Sequence, residues 1–353
     1  MLAASSASCL RFSCNENDIT CSTAPAAGLL LTGFALTLPC LTDYTRVSEA
    51  LRAPYYLAEL QSQSSSNDGS PTVTTFASPI IGTAKWVGGV LAPNGKIYAI
   101  PLNALQITVI DPADNSQTLI ASPTPGSGKW QGGVLAPNGK IYGIPFNANE
   151  ILIIDPTTDT ATAITSPITT TNKWDGGVLA PNGKIYGIPG TATDVLVIDP
   201  NTDTATSFTA PGSGASKWSG GVLAPNGLIY GIPNIEENVL GIDPEANSAA
   251  TFPSGATCSV SKWTGGVLAP DGKIYGFSRD EDRLLVIDWR TNTASTIAST
   301  RVGVNRKWGS GLLALNGKIY GLPREDDVVL VVEPQNAGEF CDAMLLSGYM
   351  NRF

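Results

Sequence analysis

Residues 173 to 211 read KWDGGVLAPNGKIYGIPGTATDVLVIDPNTDTATSFTAP, and the fold turns on this stretch. GGVLA at residues 176 to 180 is a short apolar run, closed by Pro181, Asn182 and Gly183. An Asn-Gly pair favours a two-residue turn whose twist matches that of the strands it joins. Residues 184 to 189 then read as a second strand, and 194 to 199, alternating and β-branched, as a third. Pro200, Asn201, Thr202 and Asp203 turn the chain into a Thr-rich fourth strand at residues 204 to 211. No helical period appears within the unit.

The same block recurs. A Lys-Trp pair opens each copy, at Lys85-Trp86, Lys129-Trp130, Lys173-Trp174, Lys217-Trp218, Lys262-Trp263 and Lys307-Trp308, with intervals of 44, 44, 44, 45 and 45 residues. A period of about 40 to 45 residues is that of a four-stranded propeller blade. The expected fold is therefore all-β, a six-bladed β-propeller. Glycines in the first strand suit the innermost place, where blades converge and larger side chains would collide. The sixth copy runs from its third strand into Gln335, Asn336, Ala337 and Gly338 without a Thr-rich fourth. TVTTFASP at residues 72 to 79 matches the fourth-strand segment TATAITSP at 160 to 167, so an N-terminal strand is expected to complete the last blade and remove the exposed sheet edges.

These limits divide the chain into an N-terminal extension (1–60), a polar linker (61–70), the propeller (71–334) and a C-terminal tail (335–353). The extension holds four of the six cysteines, Cys9, Cys14, Cys21 and Cys40, and a mixed apolar stretch at 42 to 60 that reads as a short capping helix. Six cysteines allow 15 pairings, and their spacing does not choose among them. The apolar run at residues 26 to 41 is shorter than the roughly 20 residues of a membrane span, and it lacks the leading positive charge of a conventional secretory signal, leaving an atypical targeting core or a packed segment as readings. An even cysteine count in an acidic, Thr/Ser-rich chain favours an extracellular or organelle-lumen location over the cytoplasm, although no Asn-x-Ser/Thr sequon occurs.

The net charge of −9 argues against nucleic acid, whose phosphates are bound by clustered Lys and Arg. The chain contains no histidine, which removes every Ser-His or Cys-His mechanism and the commonest metal ligand.

GKIYGIP followed by VLVIDPxTxTAT resembles the YVTN-type propeller repeats, a group similar in pattern to the NHL repeats, across residues 72 to 334. The resemblance implies a propeller and says little of function, because the group is mostly binding and scaffold modules with a minority of enzymes. The uniform Lys-Trp pair departs from that pattern. Two readings of the Trp ring stand: each indole wedges between adjacent blades, or the ring lines one mouth of the channel and stacks on sugars. The lysines are expected to form a solvated basic ring beside them. The acids Asp111, Asp155, Asp199, Asp243, Asp288 and Glu333 close third strands and read as turn formers.

Positions that vary over a fixed frame point to function. The residue after Trp is Val87, Gln131, Asp175, Ser219, Thr264 or Gly309, placed by topology near the channel mouth. The loop after the second strand carries Glu236, Glu237, Asp280, Glu281, Asp282, Glu325, Asp326 and Asp327 in the last three copies, an acidic arc that reads as a solvated rim, as a docking patch for a basic partner, or as a weak calcium site. The expected function is a non-catalytic binding or scaffold propeller, monomeric or one subunit of an assembly, that meets a protein or glycan through this face. A multivalent lectin and a calcium-dependent lactonase-type hydrolase are the alternatives. For the latter only Asp175 and Gln131 offer inner ligands, so no cofactor is expected.

Overall fold

A computed structural model describes residues 75–257, 260–314 and 316–334. The third blade shows the plan: Trp174–Leu179, Ile185–Pro189, Asp194–Asp199 and Thr204–Thr209 form an antiparallel meander, ordered from first to fourth strand across the sheet. Four further four-stranded sheets begin at Trp86, Trp130, Trp218 and Trp263, and a sixth, Trp308–Leu313, Ile319–Pro323 and Leu330–Val332, has three strands among the described residues. The chain is an all-β, six-bladed propeller, as the 44-residue period requires. Of the segment expected to complete the last blade, residues 72 to 74 lie outside the described residues, and 75 to 79 carry no strand pairing. The extension, the linker, the tail and all six cysteines also fall outside the described residues.

One strand boundary differs from the sequence reading. Trp174 opens the first strand instead of preceding it, because Gly176 takes φ +82° and bulges the strand between Trp174 and Gly177. A bulge adds a residue without ending the ladder, and positive φ at that residue favours glycine. The bulge recurs at Gly88, Gly132, Gly220 and Gly265.

The core lies between blades and not within them. Trp130 packs with Val90, Ile100 and Ile107 of blade 1, and Trp174 with Tyr142, Ile144 and Ile151 of blade 2. The second glycine of five of the six first strands lets the neighbour approach: a Cβ on Gly177 would lie 2.6 Å from Ile144 Cδ1 of the preceding blade.

Polar staples cross the same interfaces. The Tyr142 hydroxyl of blade 2 donates to the Asp203 carboxylate of blade 3 and receives a bond from Asn138 Nδ2, which also donates to Pro200 O at 2.7 Å. Asn94 and Tyr98 repeat this arrangement one blade earlier with Pro156 and Asp159. The third-strand acids are turn formers, as expected: the Oδ1 of Asp111, Asp155, Asp199, Asp243 and Asp288 each accept from the backbone N–H two residues on.

Candidate functional site

The Lys-Trp ring is a set of interblade wedges, which corrects the expectation of a solvated basic ring. Trp130, Trp174, Trp218, Trp263 and Trp308 are buried, and so are Lys129, Lys173, Lys217, Lys262 and Lys307. Each buried indole donates Nε1–H to a backbone carbonyl 20 residues on, as Trp174 does to Asp194 O at 2.8 Å. Each lysine reaches back into the preceding blade. Lys173 Nζ donates to Ala148 O at 2.7 Å and Thr170 O at 2.8 Å, and Lys217 Nζ donates to Ala192 O at 2.6 Å. The ammonium of Lys129 lies 5.6 Å from the centroid of Trp130, and that of Lys173 5.9 Å from that of Trp174. Main-chain carbonyls and an aromatic face can hold a buried cation with no carboxylate beside it. The first pair is the exception: Lys85 and Trp86 are only partly buried, and Lys85 Nζ donates to Ile80 O at 2.9 Å.

These lysines make stability depend on pH. Burial pushes the Lys173 ammonium from its ordinary 10.5 down to about 8, and lowers Lys129 and Lys217 as well. Between about 8 and 10.5 the unfolded chain therefore holds protons that the folded chain has released, and stability rises with pH. The hydroxyls of Tyr98, Tyr142 and Tyr275 are pushed up from 10.0, chiefly by burial, so above that pH unfolded tyrosines ionise while folded ones stay neutral, and stability falls. Urea midpoints measured from pH 7 to 11 are expected to pass through a maximum near pH 10, with the rising limb flattened in Lys173→Met. A steady decline from pH 7 would contradict this account.

The acidic arc is also resolved differently from a free acidic patch, because arginines of the last two copies pair with three of its eight carboxylates. Arg283 Nε donates to Glu281 at 2.8 Å, Arg301 makes two bonds to Asp326 at 2.7 and 3.0 Å, and Arg306 Nη1 donates to Glu325 at 2.8 Å. Asp282 accepts from Lys307 Nζ at 3.1 Å and from Gly303 N at 2.9 Å, and Asp280 accepts from Arg306 N at 2.7 Å. Glu236 accepts from Glu237 N and Asn238 Nδ2. Glu237 and Asp327 are exposed. The arc orders the loops of the last copies.

The site that remains is formed by residues that follow Trp, at the bulges of the first strands. Gln131 Nε2 donates to Asp175 Oδ1 at 2.9 Å, Asp175 accepts from Ser219, and Ser219 and Thr264 share a hydroxyl pair at 3.2 Å. Residues 44 or 45 apart in sequence thus form one polar arc over four blades. Burial pushes the Asp175 carboxyl above the usual carboxylate range, against the Ser219 and Gln131 hydrogen bonds and the positive charge of Arg279.

A second tier sits beside the first, formed by the residue that follows each second strand: Leu102, Phe146, Gly190, Asn234, Arg279 and Arg324. A Cβ on Gly190 would lie 3.9 Å from Asp175 Cβ, which shows how close the tiers are. Asn234 Oδ1 and Arg279 Nε are buried and make no hydrogen bond within the described residues. Sequence reasoning singled out Gln131 and Asp175 and not Asn234 and Arg279, although their column varies nearly as much as the one after Trp. Among the described residues no group of three His, Cys, Asp or Glu side chains is placed to hold a metal ion, and no helix is long and apolar enough to cross a membrane.

Comparison with solved structures agrees on the fold. Virginiamycin B lyase from Staphylococcus aureus matches with a TM-score of 0.59 at 14% identity, over 71% of this chain and 85% of that one. A candidate 6-phosphogluconolactonase from Bacteroides uniformis matches at 0.52 and 13% identity, over 71% and 81%. The extracellular domain of a candidate one-component system from Bacteroides thetaiotaomicron matches at 0.53 and 14% identity, over 67% of this chain and 32% of that one. At these identities the likeness is one of architecture, and it places the chain among β-propeller proteins. No family model and no curated protein matches the sequence, so the YVTN/NHL resemblance stays one of repeat pattern.

Proposed function

We propose that this chain is a non-catalytic binding propeller that captures a polar group of a protein or glycan partner at its channel mouth. The observation that carries the reading is two unpartnered buried groups at equivalent positions of adjacent blades, the acceptor Asn234 Oδ1 and the donor Arg279 Nε, the second of which acts electrostatically on the enclosed Asp175 carboxyl. Buried polar atoms normally have partners, and leaving one without costs on the order of 1–3 kcal/mol, so a ligand group that both donates and accepts gains by filling the place. A hydroxyl or an amide has that chemistry. The buried indoles are not available for sugar stacking, so a glycan would be held by hydrogen bonds at the mouth and not by the Trp ring.

The channel supplies no histidine base and no metal-ligand cluster among the described residues, so the reading needs no cofactor, and calcium is expected to leave the melting temperature unchanged. The extracellular neighbour is compatible with a location outside the cell. The test is a glycan array together with partner capture using the intact chain, Arg279→Ala and Asp175→Asn. Loss of one charge-assisted bond is expected to weaken binding about 10-fold or more at unchanged melting temperature. Equal binding by all three proteins would remove the mouth as the site.

A further inference from the structure

Two guanidinium groups at this site have no anion to meet. Arg279 and Arg324 follow the second strands of blades 5 and 6, and among the described residues neither makes an ion pair, whereas Arg283, Arg301 and Arg306 each hold a carboxylate. Arg279 Nε is buried without a hydrogen bond. The nearby carboxylates are engaged elsewhere. Glu325, which feels both charges, is bonded by Arg306 Nη1 at 2.8 Å, and Asp280 accepts from the Arg306 main-chain N–H at 2.7 Å. Neighbouring cations left in this way create a positive potential in a chain whose net charge is −9.

The main chain sets these residues in a row. Lys262 N donates to Asn234 O at 2.9 Å and Arg279 N to Lys262 O at 2.8 Å; Lys307 N then donates to Arg279 O at 3.0 Å and Arg324 N to Lys307 O at 2.8 Å. Asn234, Arg279 and Arg324 thus stand on three successive blades, each joined to the next through one buried lysine. The stem of Arg324 lies against Gly309, where a Cβ would be 3.5 Å from Arg324 Cβ and 3.7 Å from Arg324 Cδ. The two tiers therefore meet in blade 6 as Gly190 and Asp175 do in blade 3, and the charge of Arg279 reaches Asp175 itself.

Resting on the binding reading above, we infer that the partner is a glycan and that the captured group is an acidic sugar, a uronate whose carboxylate is held by Arg279 and Arg324 while a ring hydroxyl donates to Asn234 Oδ1. A planar guanidinium fork matches a carboxylate. A carboxylate by itself cannot serve Asn234 Oδ1, which is an acceptor and needs a donor; a hydroxyl on the same ring supplies one. The arc of Gln131, Asp175, Ser219 and Thr264 adds a row of amide, carboxyl and hydroxyl groups suited to further ring hydroxyls, where a peptide's carboxyl terminus brings a single backbone N–H beside its carboxylate. Elsewhere in the same two columns, Val87, Leu102 and Phe146 are apolar and partly buried, a surface for the C–H face of a pyranose.

The test is titration calorimetry of the full chain with oligosaccharides of galacturonate, glucuronate and mannuronate, each beside its carboxyl-reduced neutral counterpart, and with peptides that end in a free carboxylate. At least one uronate is expected to bind, with its reduced counterpart and the Arg324→Gln variant each weaker by about 10-fold or more, and with affinity falling as salt is added. Arg324 is exposed, so this variant is expected to keep its melting temperature. Equal affinity for acid and reduced sugars would overturn the inference, as would binding of peptides alone or of no probe. Where Arg279→Ala still abolishes binding of a neutral sugar or a peptide, the binding reading stands without the acidic sugar; where Arg279→Ala changes no binding, both fall.

Discussion

Trp174→Ala is expected to destabilise the propeller by about 3–5 kcal/mol, the range for removing a buried Trp or Phe from a core. The indole is fully enclosed between Tyr142, Ile144 and Ile151 of blade 2 and Leu196 of its own blade, and its Nε1–H is used on Asp194 O, so truncation leaves both a cavity and an unpaired carbonyl. It also removes the aromatic face above which Lys173 holds its charge. Trp86→Ala offers an internal control. Trp86 makes the equivalent bond to Gln106 O at 3.1 Å but is only partly buried, so its loss is expected to cost well under half as much. Urea unfolding of the two variants measures this directly. Equal small losses, with partner binding abolished in both, would return the Trp ring to the role of a ligand platform.

Gly221→Val is expected to cost about 1–3 kcal/mol or more by overpacking. A Cβ there would lie 2.6 Å from Ile188 Cδ1, 2.8 Å from Ile188 Cγ1 and 3.1 Å from Val178 Cγ2, all in the preceding blade, and the valine methyls reach further still. The side chains in the way belong to a packed interface and cannot swing into solvent. Gly89→Val meets no neighbouring blade at the same structural position and is expected to change stability much less. Comparable losses at the two sites would mean that the glycines serve strand conformation and not blade approach.

The blade plan was legible because its signals are local. A Lys-Trp repeat, an Asn-Gly turn and a Thr-rich run each act within a few residues, and Asp155 or Asp199 bonds a backbone two positions away, so the sequence carries its own geometry. Gln131 and Asp175 were visible as variation over a fixed frame. The column of Arg279 and Asn234 varies nearly as much, but the sequence holds no sign that their polar atoms end up enclosed without partners. The partners of the acidic arc were hidden for a related reason. Arg301 lies 25 residues before Asp326, in a different blade, and only the junction of those blades makes them a pair.

The amino-acid order alone determined the number of blades, their strand order and the place of the innermost glycines, since a strict repeat can bury its apolar faces only by stacking copies of itself around an axis. The tertiary structure alone decided what the lysines do. A lysine's exposure depends on whether carbonyls of another blade stand within reach of its ammonium, and Ala148 O, which meets Lys173, is 25 residues away along the chain. It also decided that Gly89 meets only its own blade where five equivalent glycines meet a side chain of the blade before them, a difference that no single repeat contains.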